Sequence, residues 1–193
     1  VPEQECSNMA RYAAKPYVAG TPQAEVIGQT VMAFIDNLQA DEIAPLLPQH
    51  GFAEIAPDRW YPHQNWMDVL KELAEMPNSS VNFVAFGRSV VEKAVMPPEI
   101  DSIPKALNLL HMIHHMNLRN IPEDEGYKIK VLGEKHYQVY HNTPNPDDGI
   151  YGFIWGMCAR FKQPGEAFTV RRIENPNPDE EPGTVFDVTW GVK

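Results

Sequence analysis

Two cysteines in 193 residues, Cys6 and Cys158, are little sulfur and stand far apart. That excludes a small disulfide-stapled scaffold, and Cys158, inside an apolar run, reads as a small hydrophobe in a reducing compartment. Positive charge is also scarce, with 16 Lys and Arg against 26 Asp and Glu, a net charge of −10. The basic residues form no run longer than Arg171-Arg172, so no phosphate-binding patch and no nucleic-acid partner are expected. No apolar run approaches the ~20 residues that cross a bilayer. Val1–Lys15 lacks the apolar core of a secretory leader, so the expected compartment is the cytoplasm. Internal repeats and low-complexity tracts are missing too. So are the motifs Gly-x-Ser-x-Gly, His-Glu-x-x-His and Gly-Lys-Ser/Thr, which leaves no nucleophile elbow, zincin helix or phosphate loop.

What is present is core material: 43% hydrophobic and 10% aromatic residues, enough to bury a sizeable interior. Residues 1–20 show no clear period and read as an N-terminal arm, docking on the body or on a neighbouring subunit. Residues 21–193 read as a single α+β domain with a helical part at 21–122 and a sheet part at 126–193. Thr21-Pro22 suggests a helix entrance, followed by Ile27, Val31, Phe34, Ile35 and Leu38 at helical spacing. Asp41 suits the cap of a short second helix ending near Pro48 and Gly51. Trp66, Val69, Leu70 and Leu73 mark a third helix, stopped at Met76-Pro77-Asn78. Phe83, Phe86, Val90, Val91 and Ala94 mark a fourth, begun at Ser79 or Ser80 and stopped by Pro97-Pro98.

A helix from Ser102 to Asn120 carries three of the seven histidines, His111, His114 and His115. Its apolar arc comprises Ile103, Ala106, Leu107, Leu110, Ile113 and Leu118, with His114 near the middle and His111 at the edge. Spacings of three and four could set two of these imidazoles on one face, but two histidines are too few for a closed zinc site. From Gly126 the period drops from 3.6 to 2. Tyr127, Ile129 and Val131 alternate with Lys128 and Lys130, Gly133-Glu134 suits a tight turn, and a second strand runs to Asn142. Asp147 or Asp148 opens a helix containing Gly152-x-x-x-Gly156, and two more strands flank the Pro- and Asn-rich stretch 174–183. The predicted architecture packs N-terminal helices on a four-stranded antiparallel sheet, with a helix crossing between strands 2 and 3.

Gly152 and Gly156 make a groove on one helix face, at about 1 kcal/mol each against alanine, so another backbone or a flat ligand must press close. Trp60, Tyr61, Trp66 and Trp155 could line an apolar cavity. Arg88, in an apolar helix, calls for a carboxylate or an exit to solvent.

The stretch Tyr140-His141-Asn142-Thr143-Pro144, followed by Tyr151-Gly152-Phe153-Ile154-Trp155-Gly156, resembles the superfamily of the haem nitric-oxide/oxygen-binding (H-NOX) domains, the 4-vinyl reductase ligand-binding domains and Golgi transport-complex subunits. The resemblance covers a little over half of the chain, from about Ser79 to Trp190. It implies a small-molecule cavity between helices and sheet. In the haem-binding branch a histidine on the helix before the sheet ligates iron, and Tyr-x-Ser-x-Arg holds the haem propionates. By that order His111 matches the iron ligand and Tyr140 the motif's tyrosine. Asn142, however, stands where serine is expected and Pro144 where arginine is expected, which removes a bidentate carboxylate contact. The resemblance therefore points to the haem-free branch.

The expected function is a non-enzymatic small-molecule-binding or sensory domain, a homodimer with an apolar or aromatic ligand, haem being the one cofactor in question. His111, His114, Tyr140, Trp155, Gly152, Gly156 and Arg88 are its candidate ligand contacts. Two alternatives stand beside it: a haem-binding gas sensor with His111 as axial ligand, and an enzyme using His114 or His115 as general base near Tyr140.

Overall fold

The computed structural model describes residues 11–36 and 43–192. Strand β1 (Glu25–Ile27) leads into helix α1 (Gly28–Ile35), and a 3-10 turn (Pro48–His50) precedes β2 (Trp60–Pro62). Helices α2 (His63–Ala74), α3 (Ser79–Lys93), α4 (Ile103–Asn108) and α5 (Leu110–Asn117) follow, then the short β3 (Leu118–Arg119). The rest is β4 (Gly126–Gly133), β5 (His136–Asn142), α6 (Asp147–Phe161), β6 (Glu166–Ile173) and β7 (Thr184–Val192).

The large sheet has the order β4-β5-β7-β6 with every pair antiparallel, and α6 crosses between its second and third strands in sequence. This is the α+β arrangement that the change of period predicts. Tyr127, Val139, Phe186 and Val188 belong to the core on the helix-covered face, with Leu107, Leu110, Ile154 and Met157 packed on them. A second core, around Val31, Phe34, Phe52, Trp66, Leu70 and Phe83, fills the helical part. There Phe34 meets Trp66 edge-on at 4.8 Å, as aromatic quadrupoles prefer. Cys158 lies in the sheet-side core, where burial pushes its thiol up to about 12 and leaves it an inert apolar group.

Several boundaries differ from the sequence expectation. Thr21-Pro22 opens a turn rather than a helix. Glu25–Ile27 instead pairs with Trp60–Pro62 and Leu118–Arg119 in a three-stranded sheet, so its backbone groups are satisfied across strands. Of the first stripe, Val31 and Phe34 are buried, while Leu38 and the Asp41 cap lie outside the described residues. The expected second helix closes on Gly51 at φ +83°, a left-handed stop that suits glycine. The histidine helix is two helices, breaking at Leu109, and it ends at Asn117 because Leu118–Arg119 is drawn into the small sheet. The tight turn falls one residue later than expected: Gly133 pairs with His136, leaving Glu134-Lys135 at its tip. The α6 cap is backbone only, at Pro146, and Asp147 and Asp148 both sit in the first turn, where the helix dipole favours acids. Among the described residues no helix is long and apolar enough to cross a membrane.

Candidate functional site

Helices α3 and α6 set the frame of the site by packing backbone to backbone. A Cβ on Gly87 would overlap the Gly149 carbonyl oxygen, and one on Gly152 would overlap that of Val84. At Gly156 a Cβ would lie 3.2 Å from Arg88 Cα and from the Val91 side chain. The close neighbour demanded by Gly152 and Gly156 is thus α3, and Gly87 makes the approach mutual. Arg88 leaves this contact toward solvent, and its guanidinium lies 3.9 Å from the centre of the Trp155 ring. Trp155 also stacks on Phe168 at 5.2 Å. Stacking on an aromatic face, rather than a carboxylate, is how this cation is accommodated.

The three histidines of α5 turn toward the segment that enters β4. His111 is exposed, and its Nδ1 accepts the Tyr127 N–H at 3.3 Å. Gly126, at φ +143°, leaves room for that ring. His114 is buried and donates from Nε2 to Glu125 Oε1 at 3.1 Å, while His115 Nε2 donates to the Glu125 carbonyl at 2.8 Å. Glu125 is fully buried, and its Oε2 has no hydrogen-bond partner. Burial lowers the His114 pKa against the opposing pull of Glu125. The nearby His63 is 1% exposed and is pushed down to about 3, by burial first and then by His114. His63 and His114 are neutral polar core. Among the described residues no group of three or more His, Cys, Asp or Glu side chains is arranged to hold a metal ion.

Tyr140 and Asn142 share the other face of β5, and the described part of the N-terminal arm is tied to the end of that strand. Tyr140 is buried, with its hydroxyl 3.4 Å from Gln138 Oε1. Asn142 Oδ1 accepts the Ala14 N–H and its Nδ2 donates to the Tyr12 carbonyl, both at 2.9 Å. The Tyr17 N–H donates to the Pro144 carbonyl at 2.9 Å. Arg11 adds an ion pair to Glu181 of the β6–β7 loop.

Where β5 gives way to α6, a cavity of about 370 Å³ opens between the arm, the α2–α3 corner and the sheet. This volume falls within the ~300–1,000 Å³ of ordinary small-molecule sites. Ala74, Phe83 and Tyr17 line it on the helix and arm side; His141, Thr143, Asp147, Asp148, Arg172 and Thr184 line it on the sheet side. A cavity between helices and sheet is what the resemblance implies, but its wall is polar where an apolar one was expected.

One network organises that wall. His141 Nε2 lies 2.5 Å from Thr143 Oγ1, and its Nδ1 lies 3.4 Å from Asp147 Oδ1. Asp147 Oδ2 accepts from Arg172 at 2.7 Å and from Thr184 Oγ1 at 3.1 Å. Burial alone would raise the Asp147 pKa, yet His141, Thr184 and Arg172 together hold it below the usual carboxylate range. None of these cavity residues was among the sequence candidates. The signal was the alternation itself: His141 is the residue between Tyr140 and Asn142 and so faces the opposite side of the strand. Of the candidates, Trp155, Arg88, Gly152 and Gly156 meet at the α3–α6 contact, His111 and His114 at the β4 entrance, and Tyr140 is buried within β5.

Helices over the four-stranded antiparallel sheet, with the β4–β5–α6–β6–β7 order, define an α+β fold. It is the H-NOX fold. An H-NOX protein from S. oneidensis in the Fe(II) ligation state superposes with a TM-score of 0.60 at 13% identity, over 86% of this chain and 96% of that one. A Tt H-NOX variant gives 0.58 at 14% identity, over 86% and 95%. An oxygen-binding H-NOX domain related to soluble guanylate cyclases gives 0.52 at 13% identity, over 86% and 92%. No family model and no curated protein matches the chain.

Proposed function

We propose that the chain is a non-enzymatic, haem-free ligand-binding or sensory domain, and that its ligand occupies the cavity beside His141. Residues 21–193 act in this reading as one domain, with the arm closing one side of the site. The observation that carries the proposal is the His141–Asp147–Thr184–Arg172 wall, a set of convergent polar groups in a large depression between the helical and sheet parts. The fold supports it as well, because the H-NOX structures it resembles include haem and oxygen binders.

The residues at the corresponding places do not fit a haem. His111 is exposed, and its Nδ1 is occupied by the Tyr127 N–H. His114 is turned to Glu125. The Asn142 amide is taken up by the backbone of Tyr12 and Ala14, and Pro144 offers no cation for a carboxylate. Between α3 and α6 the glycine contacts leave no gap for a flat macrocycle.

Amide NMR of the full chain against a small-fragment library tests the reading. Binding should move the signals of Thr143, Asn145 and Asp148 first. Fragments that bind only elsewhere, or none that bind, contradict it.

A further inference from the structure

Between Tyr12 and Gly20 the arm leaves one buried residue, Glu125, and returns to it. The Tyr12 hydroxyl is enclosed there, and its pKa is raised by burial first and then by the Glu125 carboxylate. At Gly20 a Cβ would overlap Glu125 Oε2 and the Pro122 ring, so the backbone itself lies on the carboxylate. A stretch whose ends meet while its middle projects is an Ω-loop, a form that recurs at functional surfaces. The middle of this one, Ala14, Pro16 and Tyr17, is the arm's share of the cavity wall.

Two side-chain amides hold the projecting part. Asn142 takes the first leg, through the Tyr12 carbonyl and the Ala14 N–H. Gln64, in the first turn of α2, takes the second leg. Its Nε2 donates to the Tyr17 carbonyl at 3.1 Å, and its Oε1 accepts the Ala19 N–H at 2.9 Å. The Tyr17 N–H adds its bond to the Pro144 carbonyl, and the Val18 N–H closes the tip on the Lys15 carbonyl at 3.1 Å. Among the described residues the loop belongs to neither sheet, so separable hydrogen bonds attach it where a ladder would lock it. Tyr17 at the tip has a left-handed φ of 60°, a region unfavourable for a non-glycine residue and imposed here by the docked position. With the loop in place, the cavity residues His141 and Thr143 are only 2% and 5% exposed.

We propose that residues 13–19 form a lid over the cavity, which opens and closes as one unit on hinges at Tyr12 and Gly20. Asn142 and Gln64 are its two latches, and Tyr17 is the side chain it carries onto the wall. Small element-end residues such as Gly20 suit a hinge, and a segment held by few bonds opens at a free energy well below that of global unfolding. The gating role rests on the cavity being the ligand site.

Amide hydrogen exchange in the full chain, compared between Asn142→Ala and Gln64→Ala, tests the lid. If the legs move together, Asn142→Ala speeds exchange at Ala19, which Gln64 holds, and Gln64→Ala speeds it at Ala14, which Asn142 holds. Each cross effect should be about tenfold or more, with Val139 and Val188 keeping their protection. Thr143→Cys in a Cys6→Ser background sets a thiol under the lid, and methyl methanethiosulfonate should label it faster by the same factor once Asn142→Ala is added. Acceleration confined to the amides beside each substitution, or labelling at an unchanged rate, overturns the proposal. Should Thr143→Cys fail to fold, the exchange comparison decides alone. These rates are read without a ligand and the fragment map by NMR with one, so loss of the lid and loss of the site are distinguishable.

Discussion

Asn142 holds Ala14 from 128 residues away, accepting its N–H on Oδ1 at 2.9 Å while Nδ2 donates to the Tyr12 carbonyl at 2.9 Å. The side-chain amide acts as one residue of a partner strand and fixes the arm at the C-terminal end of β5. Asn142 stands where the resemblance expects a serine that helps to hold a carboxylate, and here that place is taken by the chain's own backbone.

Replacing Asn142 by alanine should therefore release the arm without unfolding the sheet. We expect a stability loss of about 1–3 kcal/mol from two part-buried hydrogen bonds. Hydrogen exchange should show protection lost at the Ala14 and Tyr17 amides and kept at Val139 and Val188. Unchanged protection at Ala14 would rule out this clamp.

The interlock of α3 with α6 predicts a graded glycine series. Gly87→Ala and Gly152→Ala each place a methyl group on a carbonyl oxygen of the other helix, which cannot move aside as a flexible side chain could. Each should cost about 2–3 kcal/mol or more in denaturant unfolding. Gly133→Ala, whose Cβ would find only the His136 Cβ at 3.8 Å, should be close to neutral. Neutral substitutions at Gly87 and Gly152 would contradict the packing.

Buried neutral histidines predict acid sensitivity. His63 folds with its pKa lowered to about 3, and that of His114 is also lowered, by burial. Between the ordinary histidine value of about 6.5 and about pH 3, the unfolded chain takes up protons that the folded one refuses. Their contribution is therefore complete above the unfolded value and is lost as pH falls through that window, on the order of a few kcal/mol. Unfolding by denaturant at about pH 7, 6, 5 and 4 should show the decline. His63→Leu should flatten it, and an unchanged slope in that variant would assign the decline to other groups.

Much of this fold is legible in the residues. The change from a 3.6 to a 2 period at Gly126 marks the sheet, the proline and glycine stops mark most helices, and Gly152 and Gly156 announce a close neighbour. The pairing of Glu25–Ile27 with Trp60–Pro62 and Leu118–Arg119 is not legible, because three-residue strands carry no period and their partners are distant in sequence. The break at Leu109 is equally silent, since both halves continue one apolar stripe. The cavity escapes a sequence reading for a related reason. Its wall comes from the arm, the α2–α3 corner, the β5–α6 turn and the β6–β7 hairpin, and only the folded chain brings Tyr17, His141, Asp148 and Arg172 together. The histidines of α5 stand at the β4 entrance, whereas His141, one residue from the motif's tyrosine, lines the cavity.

The most direct test of the account is a haem titration of the purified full chain, followed by absorption spectroscopy. The account predicts the spectrum of free haem at every ratio, with His111→Ala and His114→Ala indistinguishable from the unaltered chain. A Soret band that grows to one equivalent and disappears in His111→Ala or His114→Ala would contradict it.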